Sequence, residues 1–361
     1  MISRIFLSLW VACAPKVEVA VAPPPAAPKL EQVQAAIAPT SFHNGQQPGP
    51  ALRRSPVESW AIQLDGPITV PIFSDGKRFF AVGGGSVYAV EDGKLLWKQK
   101  NGARAAVLVN EGLAVTVPDH ILILDPVTGE QKREEAAPGI VGAVEQLGEH
   151  LIWVSEKGAV HTGKETVELG QTPAGHIAAE GSIAYLATVQ GELFAISGGA
   201  IAWNALLPGA ACGGPTVGPG AIYVPLASSA TGGGGVVAFS KDGNELWRFK
   251  TDYQPGGGLS VGELLWVPDR DGVLYALQPL TGKKEWTSEG FGEYRTQGMW
   301  VDRSLYAGNA DGRLYRVDLD DGGTAWSVNL GSAVTGDPAL SGGLLVVGTA
   351  AGRLVGLAEG Y

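Results

Sequence analysis

The stretch Ala276-Leu-Gln-Pro-Leu-Thr281-Gly282-Lys-Lys-Glu-Trp286 holds the pattern on which most of this chain is written. It recurs as Ala238-Phe-Ser-Lys-Asp242-Gly243-Asn-Glu-Leu-Trp247 and as Asp318-Leu-Asp-Asp-Gly322-Gly-Thr-Ala-Trp326. Shorter copies end at Trp97 and Trp203, and a copy without the tryptophan ends at Arg133. Starting from Trp60, successive anchors lie 37, 36, 70, 44, 39 and 40 residues apart, the 70 spanning two repeats. A period near forty with short apolar runs between turns is the signature of four-stranded sheets arranged radially. The sequence therefore predicts an all-β chain folded as a β-propeller.

One repeat shows why. Leu264-Leu-Trp-Val267 reads as a strand, Asp269-Arg-Asp271-Gly272 as a tight turn, and Val273-Leu-Tyr-Ala-Leu277 as the next strand. Pro279 to Gly282 makes a second turn, and Lys284-Glu-Trp286 an outer strand. Counted this way the chain has eight repeats, at 67–99, 103–134, 140–169, 174–205, 211–250, 256–288, 294–328 and 333–361. The third is degenerate, with Val167 near the tryptophan position. The eighth stops before any outer strand, and Ser59-Trp60-Ala-Ile-Gln-Leu64 at the other end supplies the missing piece. The expectation is an eight-bladed propeller of four-stranded antiparallel blades, closed by an N-terminal strand that removes the exposed sheet edge.

Ahead of the repeats, Met1-Ile-Ser-Arg4 and the apolar run Ile5 to Ala12 are too short to span a bilayer and read as a secretory signal. The run ends at Leu9-Trp10-Val11-Ala12-Cys13, which resembles a bacterial lipobox and makes Cys13 the expected lipidation site. Prolines at nine positions between 15 and 56 then predict an extended tether with no core of its own. The expected organisation is a signal over 1–13, a Pro/Ala-rich tether over 14–56 and the propeller over 57–361.

Composition narrows the partners. A formal charge of −10 and a pI near 5.1 argue against nucleic acid and against adhesion to an anionic membrane surface. No Cys/His cluster or HExxH spacing points to zinc, and Cys212 reads as a small buried apolar residue. The stretches Asp269-x-Asp271-Gly, Asn309-x-Asp311-Gly and Asp318-x-Asp320-Asp321-Gly lack the distal glutamate of a calcium loop and fall at hairpin turns. Gly232 to Gly235 has no following helix or lysine, so it reads as a hairpin excursion rather than a phosphate cradle.

The phrase ending in Trp286 resembles the tryptophan-docking motif of pyrroloquinoline-quinone-type propeller repeats, with Gln278 where the motif has aspartate. The quinone-dependent alcohol dehydrogenases of that group carry a vicinal cysteine pair, which this chain lacks. The lipobox, tether and cofactor-free eight-bladed ring together are similar to the BamB-type lipoproteins of outer-membrane barrel assembly. That resemblance implies a non-catalytic periplasmic scaffold held at the outer membrane by its lipid, with a BamA-like barrel-assembly protein as partner and no cofactor. Two alternatives stay open: a periplasmic propeller binding another protein, a glycan or a small ligand in its funnel, and a quinone-dependent oxidoreductase. Two stretches depart most from the repeat, Ala227 to Gly235 and Gly290 to Gln297. The second carries Phe291, Tyr294 and Arg295, residue types that dominate interface energetics, and is the expected partner-binding loop. The competing reading of Phe291 and Tyr294 is that they cover a blade junction.

Overall fold

The computed structural model describes residues 50–229, 233–256, 258–289 and 292–360. Among them every regular element is a strand, and the strands form eight four-stranded antiparallel sheets. In chain order the blades cover residues 73–100, 105–136, 140–168, 178–206, 216–251, 260–289 and 299–329. The eighth combines three strands over 334–359 with Pro56–Gln63. That first strand pairs antiparallel with Arg353–Glu359, from Pro56 opposite Glu359 to Gln63 opposite Arg353. The innermost strand of each blade touches those of its two neighbours, and Phe73–Ser74 touches Val334–Ser341, so the ring closes. The expected fold, blade count and closing strand are all observed.

The second and third strands of each blade carry most of the apolar load. Phe79–Gly83, Ala221–Leu226 and Leu265–Pro268 are buried along nearly their whole length, whereas outer strands such as Lys94–Lys100 are mostly exposed. Both faces of a blade pack on neighbouring blades, so these strands read as continuous apolar runs rather than strict alternation. The buried side chains gather into clusters shared between successive blades, as where Tyr223 and Trp247 of blade 5 meet Leu259, Leu265 and Val267 of blade 6.

The recurrent tryptophan is the joint between blades. Trp247 pairs with Ala238 on the neighbouring strand, and the ladder slips by one residue just beyond this pair. The same bulge follows Ala89–Trp97, Ala195–Trp203, Ala276–Trp286 and Arg316–Trp326. The extra residue re-aims the indole toward the next blade. There it lies on the glycine of the following turn: a Cβ added at Gly282 would fall 2.5 Å from Trp247, and one at Gly322 2.3 Å from Trp286. Both glycines also hold positive φ, so the turn and the close approach demand the same residue. The small alanine opposite lets the indole reach an aromatic on the second strand, as in Tyr223–Trp247 at 5.9 Å and Trp266–Trp286 at 5.2 Å. Trp60, arriving from the N-terminal strand, lies on Gly93 and carries the series across the closure.

Two expectations are corrected. In blade 3 the third and outer strands pair without a bulge, Thr162 opposite Glu165 and Val160 opposite Val167. Glu165 takes the docking position, with its carboxylate against Gly199 of the next turn, while Val167 is buried two residues further on. The folded body also begins earlier than residue 57. Ala51 and Leu52 are buried in the core shared by blades 7 and 8, so the root of the expected tether belongs to the propeller.

Candidate functional site

The two irregular stretches are joined into one surface across blades 5, 6 and 7 by the connection between blades 5 and 6. Ser228 donates its main-chain N–H to Gln254 Oε1 at 3.4 Å, and Arg270 N–H donates to Gln254 O at 3.0 Å. The Arg270 side chain then approaches Glu293 Oε1 at 3.9 Å, and Glu293 pairs with Arg295 at 3.0 Å. Gly256 sits beneath this path, where a Cβ would be 3.2 Å from the Arg270 stem. Tyr253, next to Gln254, is 50 % exposed, and the side chains of Arg270 and Arg295 are 58 % and 49 % exposed. An accessible tyrosine beside two accessible arginines is a grouping suited to a protein interface. Such surface ion pairs add little stability, so the arginines are held only weakly by Glu293.

The predicted residues divide. Arg295 lies on this surface. Tyr294 does not: it is 2 % exposed, its backbone bridges to Asn309, and its ring meets Tyr315 edge-on at 6.3 Å. Burial pushes its phenol up to about 12, so it titrates outside any ordinary range. Tyr294 covers the junction between blades, and the exposed aromatic of this surface is Tyr253 instead. Phe291 and Cys13 lie outside the described residues, as do residues 230–232 of the other loop. Tyr253 and Arg270 escaped the sequence reading, although Asp252-Tyr-Gln-Pro255 breaks the alternation of the preceding outer strand. Cys212 is partly buried, and burial pushes its thiol up to about 11, which keeps it a poor nucleophile.

The inner strands carry two withdrawn carboxyls. Glu145, in blade 3, is 6 % exposed, and burial raises its carboxyl to about 8 against the opposing pull of His176. Asp337, in blade 8, accepts the Gln297 N–H of blade 7 at 2.6 Å, and burial raises it to about 7 despite that bond. The two belong to different blade junctions. Among the described residues no group of three or more His, Cys, Asp or Glu side chains is placed to hold a metal ion. The Asp-x-Asp-Gly segment at 269 is a turn: Asp269 Oδ1 accepts the N–H groups of Asp271 and Val273 at 3.1 and 2.9 Å.

Residues 137–289 and 270–360 match the family model described as outer membrane protein assembly factor BamB. The chain belongs to the BamB family. BamB from Moraxella catarrhalis has a similar solved structure, at 17 % identity and a TM-score of 0.65. That match covers 84 % of this chain and the whole of the other. The computationally designed Ika8 protein is similar at 14 % identity and a TM-score of 0.67, over 83 % of this chain and 99 % of the designed one. At such identities the structural likeness concerns the fold. No curated protein sequence matches the chain.

Proposed function

We propose that this BamB-family chain is a non-catalytic scaffold lipoprotein that assists the assembly and insertion of β-barrel proteins into the outer membrane. In this reading residues 1–13 are the signal, Cys13 takes the lipid, and residues 14–50 tether the propeller to the periplasmic face. The surface of Tyr253, Arg270 and Arg295 docks a BamA-like barrel-assembly protein. The observation that carries the reading is this exposed aromatic–arginine surface on a propeller of the assembly-factor family. Tyr253 would enter an apolar recess on the partner, and the arginines would pair with its carboxylates in two-point contacts.

Crosslinking and capture from membranes test it. Alanine at Tyr253, Arg270 and Arg295 together should lower recovery of the barrel-assembly protein at least tenfold, each position contributing on the order of 1 kcal/mol or more. Circular dichroism should stay native, because all three side chains are exposed. Recovery at wild-type yield would remove this surface from the docking site. Failure of the wild type to recover that protein at all would remove the assembly role. Cys13→Ser should shift the chain from the membrane fraction to the soluble periplasm, and an absence of palmitate label on the wild type would contradict the anchor.

A further inference from the structure

Four tryptophans donate the indole N–H to a main-chain carbonyl in the next blade's turn: Trp97 to Pro126, Trp203 to Lys241, Trp247 to Pro279 and Trp286 to Leu319, at 2.8–3.2 Å. Trp326 faces a blade assembled from the two chain ends. Its indole N–H donates instead to the carbonyl of Leu52, at 3.1 Å. The rest of the segment is held just as closely. Leu52 N–H donates to the Tyr306 hydroxyl at 2.6 Å, and the N–H groups of Arg53 and Arg54 both donate to Glu359 Oε1 at 2.9 Å. The Arg316 guanidinium donates to Arg53 O at 3.4 Å. Leu52 is 4 % exposed among Tyr306, Trp326 and Leu357, while the Arg53 and Arg54 side chains stay in solvent.

These contacts have the form of peptide recognition. Five main-chain groups are satisfied by side chains of blades 7 and 8, and the side chains of Ala51 and Leu52 are buried in the core between them. Sequence is read at Leu52 and, by its small size, at the buried Ala51; Arg53 and Arg54 contribute only their backbone. We infer that the groove between blades 7 and 8 is a peptide-binding site which the chain occupies with its own residues 51–54. Its ligand class is an extended partner segment with a small residue, then an aliphatic one, then two residues that are not proline, since both N–H groups are used. The occupant is joined directly to the strand Pro56–Gln63, so its local concentration is in the millimolar range or above, and a partner must displace it. Displacement frees residues 51–55 and adds about 17 Å of reach to the chain ahead of the propeller.

The test uses the full chain and a fluorescent peptide of residues 49–55. Leu52→Asp should empty the groove while Pro56–Gln63 still closes blade 8. Anisotropy should then show saturable binding at least tenfold tighter to the variant than to the wild type. The peptide carrying the same Leu→Asp change should not bind, and adding Glu359→Gln to the variant should weaken binding severalfold. A variant with native circular dichroism that does not bind the peptide overturns the site. Equal binding by wild type and variant overturns cis occupancy. A Leu52→Asp chain that fails to fold shows the segment to be a fixed part of the core, which also ends the proposal. A wild type that forms a concentration-dependent dimer with residues 51–54 crosslinked across copies assigns the groove to a second copy and excludes the partner.

Discussion

Blades 6 and 3 occupy equivalent places in one ring and solve the same problem differently. Blade 6 runs Trp266, Ala276 and Trp286 across three strands, and Trp286 plugs into blade 7 on Gly322 and the Leu319 carbonyl. Blade 3 runs Ile152, Thr162 and Glu165 across the same three strands, and a carboxylate meets the turn of blade 4. Blade 2 stands between these extremes. It keeps the bulge but carries Arg133, which is clasped by Glu111 at 3.0 Å and Glu135 at 2.7 Å. Beside that arginine a cleft of about 370 Å³ opens, lined by Glu149, His150 and Gly163 among others. The lesson is that the sheet hydrogen bonding defines a blade, while the tryptophan defines the joint. A closed ring tolerates two polar joints in succession because the remaining joints and the closure fix their geometry.

The sharpest way to break this comparison is to remove a tryptophan joint. Trp247→Ala should cost about 3–5 kcal/mol as a large-to-small change at a packed site, whereas Arg133→Ala should cost under about 1 kcal/mol. Urea unfolding measures both, and equal losses would show that the indole is no joint.

A smaller effect concerns the buried acid of blade 3. The Glu145 carboxyl is raised by burial from 4.5 to about 8, so the folded state favours its protonated form. Its contribution to stability is present below about pH 4.5 and is lost as pH rises through about 8. Glu145→Gln should therefore flatten the decline in melting temperature between pH 5 and 8 and exceed the wild type at pH 9. A parallel decline in both proteins would assign it to another group.

The smallest expected change would convert one kind of joint into the other. Arg133→Trp should fill the cleft above Gly163 and stabilise by roughly 0.5–2 kcal/mol, since the ion pairs it removes are exposed and weak. A neutral or destabilising result in the same urea titration would mean that blade 3 lacks the seat for an indole.

Much of the ring was legible because its determinants are local and repeated: a turn glycine, an alternating run, an indole at fixed spacing. The docking residue of blade 3 was not, because its hairpin has no bulge, and counting as if it had one leads to Val167 instead of Glu165. The place of Leu52 was also hidden, since its partners Tyr306 and Trp326 lie 254 and 274 residues away. The candidate site was half legible. Arg295 stood out by its irregular loop, but the continuity of that loop with Tyr253 and Arg270 is made by contacts between blades. Tyr294 was open to two readings, partner contact or cover for a blade junction, because an aromatic in an irregular loop looks the same from sequence whether it turns inward or outward; the structure gives the second.

The pairing of Pro56–Gln63 with Arg353–Glu359 also sets an order of events in time. Arg353 and Glu58, bonded in the finished ring, are separated by 295 residues of chain. During synthesis the first strand is made early and waits for the last strand before it has a partner. Long loop closure of this kind slows folding and leaves an apolar edge open in the interval. The ring is therefore completed only after Arg353–Glu359 has been made, and every blade before the eighth must hold its shape through its joint to a neighbour until then.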